Sequence, residues 1–413
     1  MQTQTLAIDF GTSNSAAALP VSGGVYRIPV EQGAETLPTA VFFPSEGGAM
    51  RIGASAAAAL IAGEDGRYMR ALKSVLGLPL LHETRMIAGR RRSLSGIITE
   101  FLSELRQRSE TATGLTFTQA LSGRPVHFHS ADAAKDAQAE ADLRACYLAA
   151  GFHEVRFLPE PEAAAMAAQG MGATDGLGLI VDIGGGTSDF SVFRSTGGRP
   201  DILASHGIRL GGTDFDQTLS MAHAMPALGL GGQLRRDFGQ GLLPVPRGPY
   251  ADLSTWAKIP FLYTAETRRM VTDMARLAVD GPAMARFARV LEDELGHEIA
   301  FAVERAKIGA NGASGQGRID LGIVEKGLDR IFRATDMNAD LDDSRHILGT
   351  AAHETLTLAQ VPPDRIARVI LVGGSSLMGF VSAEMQALCP NAALLRSEAF
   401  TAVVDGLALA TAA

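Results

Sequence analysis

A chain of 413 residues is too long for one ordinary hydrophobic core, so two or more domains are expected. Hydrophobic residues make up 46% and charged residues 20%, which rules out wholesale disorder. A net charge of −8 argues against nucleic acid as a partner, because phosphate backbones call for clustered Lys and Arg. The one basic cluster, Arg90-Arg91-Arg92, reads as a solvated surface turn. Cys146 and Cys389 stand far apart in no CxxC pattern, which fits a reducing compartment. The start, MQTQTLAIDF, lacks the pattern of a signal peptide, and the longest small-apolar stretch, Ala54 to Ala62, is too short to cross a bilayer. A cytoplasmic protein with no membrane partner is expected.

The first forty residues read as strands: LAIDF, then SAAALP after the turn GTSNS, then VYRIPV. A helix is expected over Ser55–Ala62. A clear amphipathic helix follows in SLSGIITEFLSELRQRSE, with Ile97, Ile98, Phe101, Leu102 and Leu105 on one face. ALSGRPVHF reads as a strand ending near a Gly and a Pro, and His127 and His129 alternate as if on one face of a strand, with no third metal ligand near. DAAKDAQAEADLRACYLAAGF reads as a helix with Asp132 as N-cap and Gly151 closing it. EVRFLPEP is a strand, and EAAAMAAQGMG a short helix ended by glycine, with Met166 and Met171 as core packing. TDGLG marks a change of unit. The stretch GLGGQLRRDFGQGLLPVPRGP reads as loop, and long helical segments are expected from about Pro282 to Ile308. HETLT at 353–357 lacks the second histidine of a zinc-protease motif.

One stretch carries more chemistry than the rest. In LIVDIGGGTSDFSVF, residues 179–193, the glycines are followed by an alternating apolar strand rather than a helix, which excludes a dinucleotide-binding fingerprint. The unit is strand, glycine turn, strand. The N-terminal AIDFGTSNSAAAL repeats the layout, so the two copies begin at Asp9 and Asp182. Glycine lets backbone approach phosphate oxygens, and successive N–H groups form an anion nest. Each leading Asp can hold a hydrated Mg²⁺. Two such hairpins, one per half, suggest a duplicated fold clamping one ligand.

These segments resemble the actin-like ATPase superfamily, and most of all the nucleotide-binding domain of the DnaK-type heat shock protein 70 family, within it the YegD-like proteins. IDFGTSNS and VDIGGGTSDFSV resemble its two phosphate motifs, MRALKSVLG its catalytic-lysine segment, and LPEPEAAAMA its linking motif. RLGGTDFDQTL, ERAKIGANG and VILVGGSS are similar to the segment entering the outer part of lobe II, the nucleoside helix and the adenosine motif. The resemblance implies an α/β actin-like ATPase fold of two duplicated ribonuclease-H-like lobes around a central nucleotide cleft. Lobe I would span 1–172 with a small outer subdomain about 37–95. Lobe II would span 173–413 with an outer subdomain about 213–335, and a C-terminal segment about 391–413 packing back on lobe I.

The resemblance also implies roles. Asp9 and Asp182 would hold hydrated Mg²⁺. Gly11, Thr12, Ser13, Gly185, Gly186 and Thr187 would hold phosphates, with Asn14, Gly184, Gly211 and Gly212 also assigned to nucleotide. Lys73 would neutralise the γ-phosphate while Glu160 and Asp189 orient the attacking water. Glu304, Lys307 and Asn311 would contact the nucleoside, with Gly373, Gly374 and Ser375 beside base and sugar. Only five of the basic residues are Lys, at 73, 135, 258, 307 and 326, and two fall at these positions.

The cofactors implied are ATP or ADP with Mg²⁺, the partners a nucleotide and a protein client or co-chaperone, and the activity slow ATP hydrolysis in a chaperone-like protein. A small-molecule kinase on the same fold, a filament-type scaffold and a binding-only pseudo-ATPase are the alternatives. Two departures stand out. The basic residues that sandwich adenine in the family are replaced by Ile308 and Leu377, so weaker affinity or looser base selectivity is expected. The chain stops at Ala413 with no β-rich peptide-binding domain expected after it. Without family context, Glu304 and Lys307 would be a surface helix pair, and Asp214 and Asp216 a helix cap.

Overall fold

The computed structural model describes residues 4–31, 33–169, 176–196, 200–237, 239–396 and 401–412. The expected glycine stop at Gly170 to Gly172, Met171 and the boundary at 172–173 lie outside the described residues. The chain divides into two compact units, Met1–Gly212 with Arg345–Ala413, and Thr213–Ser344.

The first unit contains two sheets built on one plan. In the first, β1 (Gln4–Phe10), β2 (Asn14–Val21) and β3 (Gly24–Arg27) form an antiparallel meander. On the other side of β1, β4 (Phe117–Arg124) and then β5 (Glu154–Pro159) join in parallel. The second sheet repeats this order. β6 (Gly176–Ile183), β7 (Ser188–Ser195) and β8 (Asp201–Ile208) make the meander, and β9 (Arg368–Val372) and β10 (Ala393–Arg396) extend it in parallel from β6. The pivot strands β1 and β6 are buried along continuous apolar runs, Leu6-Ala7-Ile8 and Leu179-Ile180-Val181, as strands flanked on both sides must be.

Helices pack on these sheets where sequence periodicity places them. Leu94–Thr113 buries Ile97, Ile98, Phe101, Leu102 and Leu105, and the Ser93 hydroxyl accepts its first-turn N–H from Gly96 at 3.2 Å. Ala133–Ala149 is capped by Asp132, whose Oδ1 accepts from the Lys135 N–H at 3.1 Å. Helix Ala402–Thr411 packs on helix Glu160–Gln169 and on β1 and β2, in a core rich in alanine. There backbones nearly touch: a Cβ on Gly406 would sit 1.7 Å from the Ala163 carbonyl oxygen. Arg27 ties β3 to this helix, its Nε and Nη2 donating to Asp405 at 2.8 and 2.7 Å.

Several local expectations are revised. The strand ends at Arg124, before Pro125, so His127 and His129 lie in the following turn and take separate partners. Arg90–Arg92 is not a turn but one arm of a hairpin with Arg85–Ile87, and Arg92 lies over the Phe43 ring while pairing with Glu100 at 2.8 Å. In the second unit, the stretch read as loop contains a hairpin, Gln233–Arg235 with Leu242–Pro244. The helical segments expected over about 282–308 are present as Gly281–Glu292 and Gly296–Asn311, separated where Glu294 takes a positive φ of 56°. That unit also holds helix Ala265–Leu277 and the hairpin Gln316–Asp320 with Asp329–Arg333. Among the described residues no helix is long and apolar enough to cross a membrane.

The helix contact at Gly406 generates a test. Gly406→Val should lower stability by about 1–3 kcal/mol or more through overpacking. Gly281→Ala, where an added Cβ meets nothing within 4 Å, should leave the thermal midpoint unchanged. Thermal unfolding of the two variants beside wild type checks this.

Candidate functional site

The two hairpin turns of the first unit are built alike. Gly11 N–H donates to the Asn14 carbonyl at 3.1 Å, and Gly184 N–H to the Thr187 carbonyl at 3.0 Å. Phe10 pairs with Ser15, and Ile183 with Ser188, so each leading aspartate sits one residue before its turn. The loops face one another: a Cβ on Gly185 would meet Ser13 Oγ at 2.5 Å and Thr12 Cβ at 3.1 Å. Gly185 is therefore needed because the opposing loop carries side chains where this one carries none.

Further glycines close round the second turn. A Cβ on Gly211 would meet the Gly186 nitrogen at 2.6 Å, and one on Gly212 would meet Ser375 Oγ at 2.2 Å. Gly212 N–H donates to the Gly184 carbonyl at 3.0 Å. Gly373, at φ 80°, leaves room for Asp182 Oδ1, which a Cβ would crowd to 2.7 Å. The structure thus brings Gly11, Thr12, Ser13, Asn14, Gly184 to Thr187, Gly211, Gly212 and Gly373 to Ser375 into one neighbourhood. They lie near the carboxyl ends of β1, β6 and β9, where open sheets bind ligands.

Four carboxylates and one ammonium occupy the same region. Lys73 lies in the short helical turn Leu72–Val75, entered through Ala71 in a left-handed conformation, φ 60°, that a residue with a Cβ adopts at a cost of order 1 kcal/mol. Its Nζ donates to Glu160 Oε1 at 2.7 Å, with both side chains nearly sealed from solvent. Glu160 opens the helix that follows β5, and the helix N-terminus favours its charge. Asp189 Oδ1 accepts from the Val126 N–H at 2.7 Å. Its cross-strand partner is Gly207, where a Cβ would crowd that oxygen to 2.5 Å.

Burial and mutual repulsion shape the protonation of this cluster. Burial, then Glu160, raise Asp9 to about 7, against the pull of Lys73. Asp182 and Asp189 are raised well above the ordinary carboxylate range, first by burial and then by neighbouring carboxylates. For Lys73, burial works against the charge, but Glu160, Asp9 and Asp189 outweigh it and its affinity for the proton rises. One ammonium cannot neutralise four carboxylates, so the cluster is short of positive charge. Among the described residues no three His, Cys, Asp or Glu side chains converge closely enough to bind an ion directly. That donor set fits a cation held through its own waters, as Mg²⁺ prefers.

In the second unit, Lys307 is not a surface residue. It is buried on helix Gly296–Asn311 and pairs with Asp216 at 2.7 Å, whose other oxygen accepts from the Trp256 indole N–H at 3.2 Å. Asp216 thus holds a lysine and a tryptophan rather than capping a helix. Glu304 and Asn311 are half-buried on the same helix, and Ile308 is 62% exposed. Leu377, in the turn after Gly373 of the first unit, is 38% exposed. Sequence reasoning did not single out Arg209, which lines the cleft beside Lys73, Thr12, Gly186 and Thr187.

Two sheets of one plan, each presenting an aspartate and a glycine turn, define a duplicated strand–glycine turn–strand module. The family model described as Hsp70 protein matches residues 5–227. The chain is 35% identical over 238 residues to a protein named Chaperone protein HscA homolog of Pseudomonas aeruginosa, and 33% identical over 233 residues to one so named of Ralstonia nicotianae. Each match covers 52% of this chain and 36% of the relative, so it spans little more than a third of those proteins' length. The chain belongs to the Hsp70 family, and its fold is the actin-like ATPase fold of that family.

The raised aspartates predict how the ligand-free protein responds to pH. Asp9 binds its proton more tightly folded, at about 7, than unfolded, near 3.8. Its contribution is therefore fully present below pH 4 and is lost as pH rises through 7. In chelator and without nucleotide, Asp9→Asn should match wild type near pH 4 and exceed its stability at pH 8 by on the order of 1–3 kcal/mol. Denaturant unfolding across that range measures the difference.

Proposed function

We propose that this protein binds a magnesium nucleoside triphosphate in the first unit and hydrolyses it slowly, using the bound state to regulate a protein partner in a chaperone-like role. The observation that carries this reading is the pair of facing glycine turns beside a buried carboxylate cluster with a single ammonium. The family supports it, and the matched relatives are named as chaperone proteins.

In this reading the backbone N–H groups and hydroxyls of Gly11 to Asn14 and of Gly184 to Thr187 hold the phosphates. Asp9 and Asp182 hold the waters of Mg²⁺, which when bound neutralises phosphate charge. Lys73, kept protonated by its neighbours, stabilises charge on the terminal phosphoryl group. Asp189 and Glu160 orient the water whose oxygen bonds to the terminal phosphorus as the bond to the diphosphate oxygen breaks. The raised proton affinity of Asp189 suits it to take the proton that the water gives up. Gly373, Gly374 and Ser375 serve the nucleoside. With Leu377 where the family resemblance leads to a cation, base recognition is loose.

Calorimetric titration tests the reading. Mg-ATP and Mg-ADP should bind saturably, and Mg-GTP within about tenfold of Mg-ATP, since each missing cation–π contact is worth only about 0.5–2 kcal/mol. Asp182→Asn should weaken Mg-dependent binding. Lys73→Met should bind nucleotide yet lose about 100-fold or more in phosphate release, the scale for removing one preorganised charge. Absence of binding at millimolar nucleotide would defeat the proposal.

A further inference from the structure

Arg209 follows β8 and precedes Leu210-Gly211-Gly212, the segment that closes round the second glycine turn. Its guanidinium reaches to the elements of the first sheet. Nη1 donates to His129 Nδ1 at 3.0 Å, and Nη2 to the Ser74 carbonyl at 2.9 Å, one residue from Lys73. The other ring nitrogen of His129, Nε2, lies 2.8 Å from the Leu76 carbonyl oxygen. A carbonyl only accepts, so Nε2 carries the proton, and Nδ1 is left as a bare acceptor for the guanidinium.

Both hydrogen-bond partners of Arg209 are therefore neutral, although arginine is charged at every accessible pH. The side chain is exposed, and it lines the cleft with Lys73, Thr12, Gly186 and Thr187. Hydrogen bonds from a guanidinium to an anion are roughly twice as strong as those to neutral acceptors. A phosphate placed beside Lys73 would therefore draw the guanidinium from His129 and Ser74.

We propose that Arg209 is the residue that distinguishes triphosphate from diphosphate, delivering a second cation to the terminal phosphate beside Lys73. The inference rests on the nucleotide reading given above. In the ligand-free protein the guanidinium is held ready by His129 and Ser74. With a triphosphate it joins Lys73 on the terminal phosphate, and with a diphosphate it stays where it is. Because that contact exists only when the terminal phosphate is present, it biases the protein toward a triphosphate-specific state.

The test is a comparison of Mg-ATP and Mg-ADP affinities by calorimetry for wild type, Arg209→Gln and Arg209→Lys. Gln can still donate to a neutral acceptor but carries no charge, whereas Lys keeps the charge without the fork. Arg209→Gln should lose about 10- to 100-fold in Mg-ATP affinity, the worth of one to two charge-assisted hydrogen bonds, with Mg-ADP affinity unchanged. Arg209→Lys should recover part of the preference. A merely structural tie would weaken both nucleotides alike or lower the thermal midpoint without changing their ratio. If wild type binds both and Arg209→Gln keeps the wild-type ratio, this inference falls while the nucleotide site stands. If wild type binds neither, both fall together.

Discussion

Repulsion among buried carboxylates is the constraint around which the first unit is arranged. Asp9, Asp182, Asp189 and Glu160 share one ammonium, that of Lys73. Removing one partner of such a buried pair is costly because the other charge is left uncompensated. The fold tolerates the excess through what surrounds it. The Val126 N–H satisfies Asp189, the start of a helix favours Glu160, and glycines at 207 and 373 give the aspartates space. Stability is supplied elsewhere, where small residues let helices Glu160–Gln169 and Ala402–Thr411 approach to backbone contact. A site strained in this way gains most from a ligand that brings positive charge, which couples binding to folding stability.

The duplication is one of topology and turn geometry, not of chemistry. At the position facing the leading aspartate, the second hairpin carries Asp189 and the first carries Ala16. The turns divide their labour in the same way: Thr12 and Ser13 project side chains from one, and Gly185 and Gly186 make space in the other. Two copies with identical loops would collide or leave a gap. The asymmetry lets two equal scaffolds face one another without collision.

What could be read from the sequence follows from how local each feature is. The hairpins were visible because alternation, glycine and aspartate lie within fifteen residues of one another, and helix Leu94–Thr113 because its apolar face repeats every turn. His127 and His129 misled because their alternation imitates a strand, while Pro125 in fact ends it. The burial of Lys307 could not be inferred from its spacing to Glu304, since its partner Asp216 belongs to a different helix. Arg209 left no signal, because the residues it touches are 80 and 135 positions away. The pairing of Lys73 with Glu160, 87 residues apart, was not expected; the family resemblance implied a separate role for each.

The chain invests unequally in the two ends of its expected ligand. The region expected to hold phosphates carries two built turns, glycines at 11, 185, 211, 212 and 373 that leave no room for a Cβ, and two cations. Ile308 and Leu377, where the family resemblance leads one to expect charge, are each apolar and exposed. Binding free energy drawn from phosphates depends on how many are present, whereas binding free energy drawn from the base does not. On the proposed reading, a protein built this way would discriminate between triphosphate and diphosphate better than between one base and another. That is the discrimination a nucleotide-driven conformational switch requires, because only a contact that differs between two states can shift the balance between them.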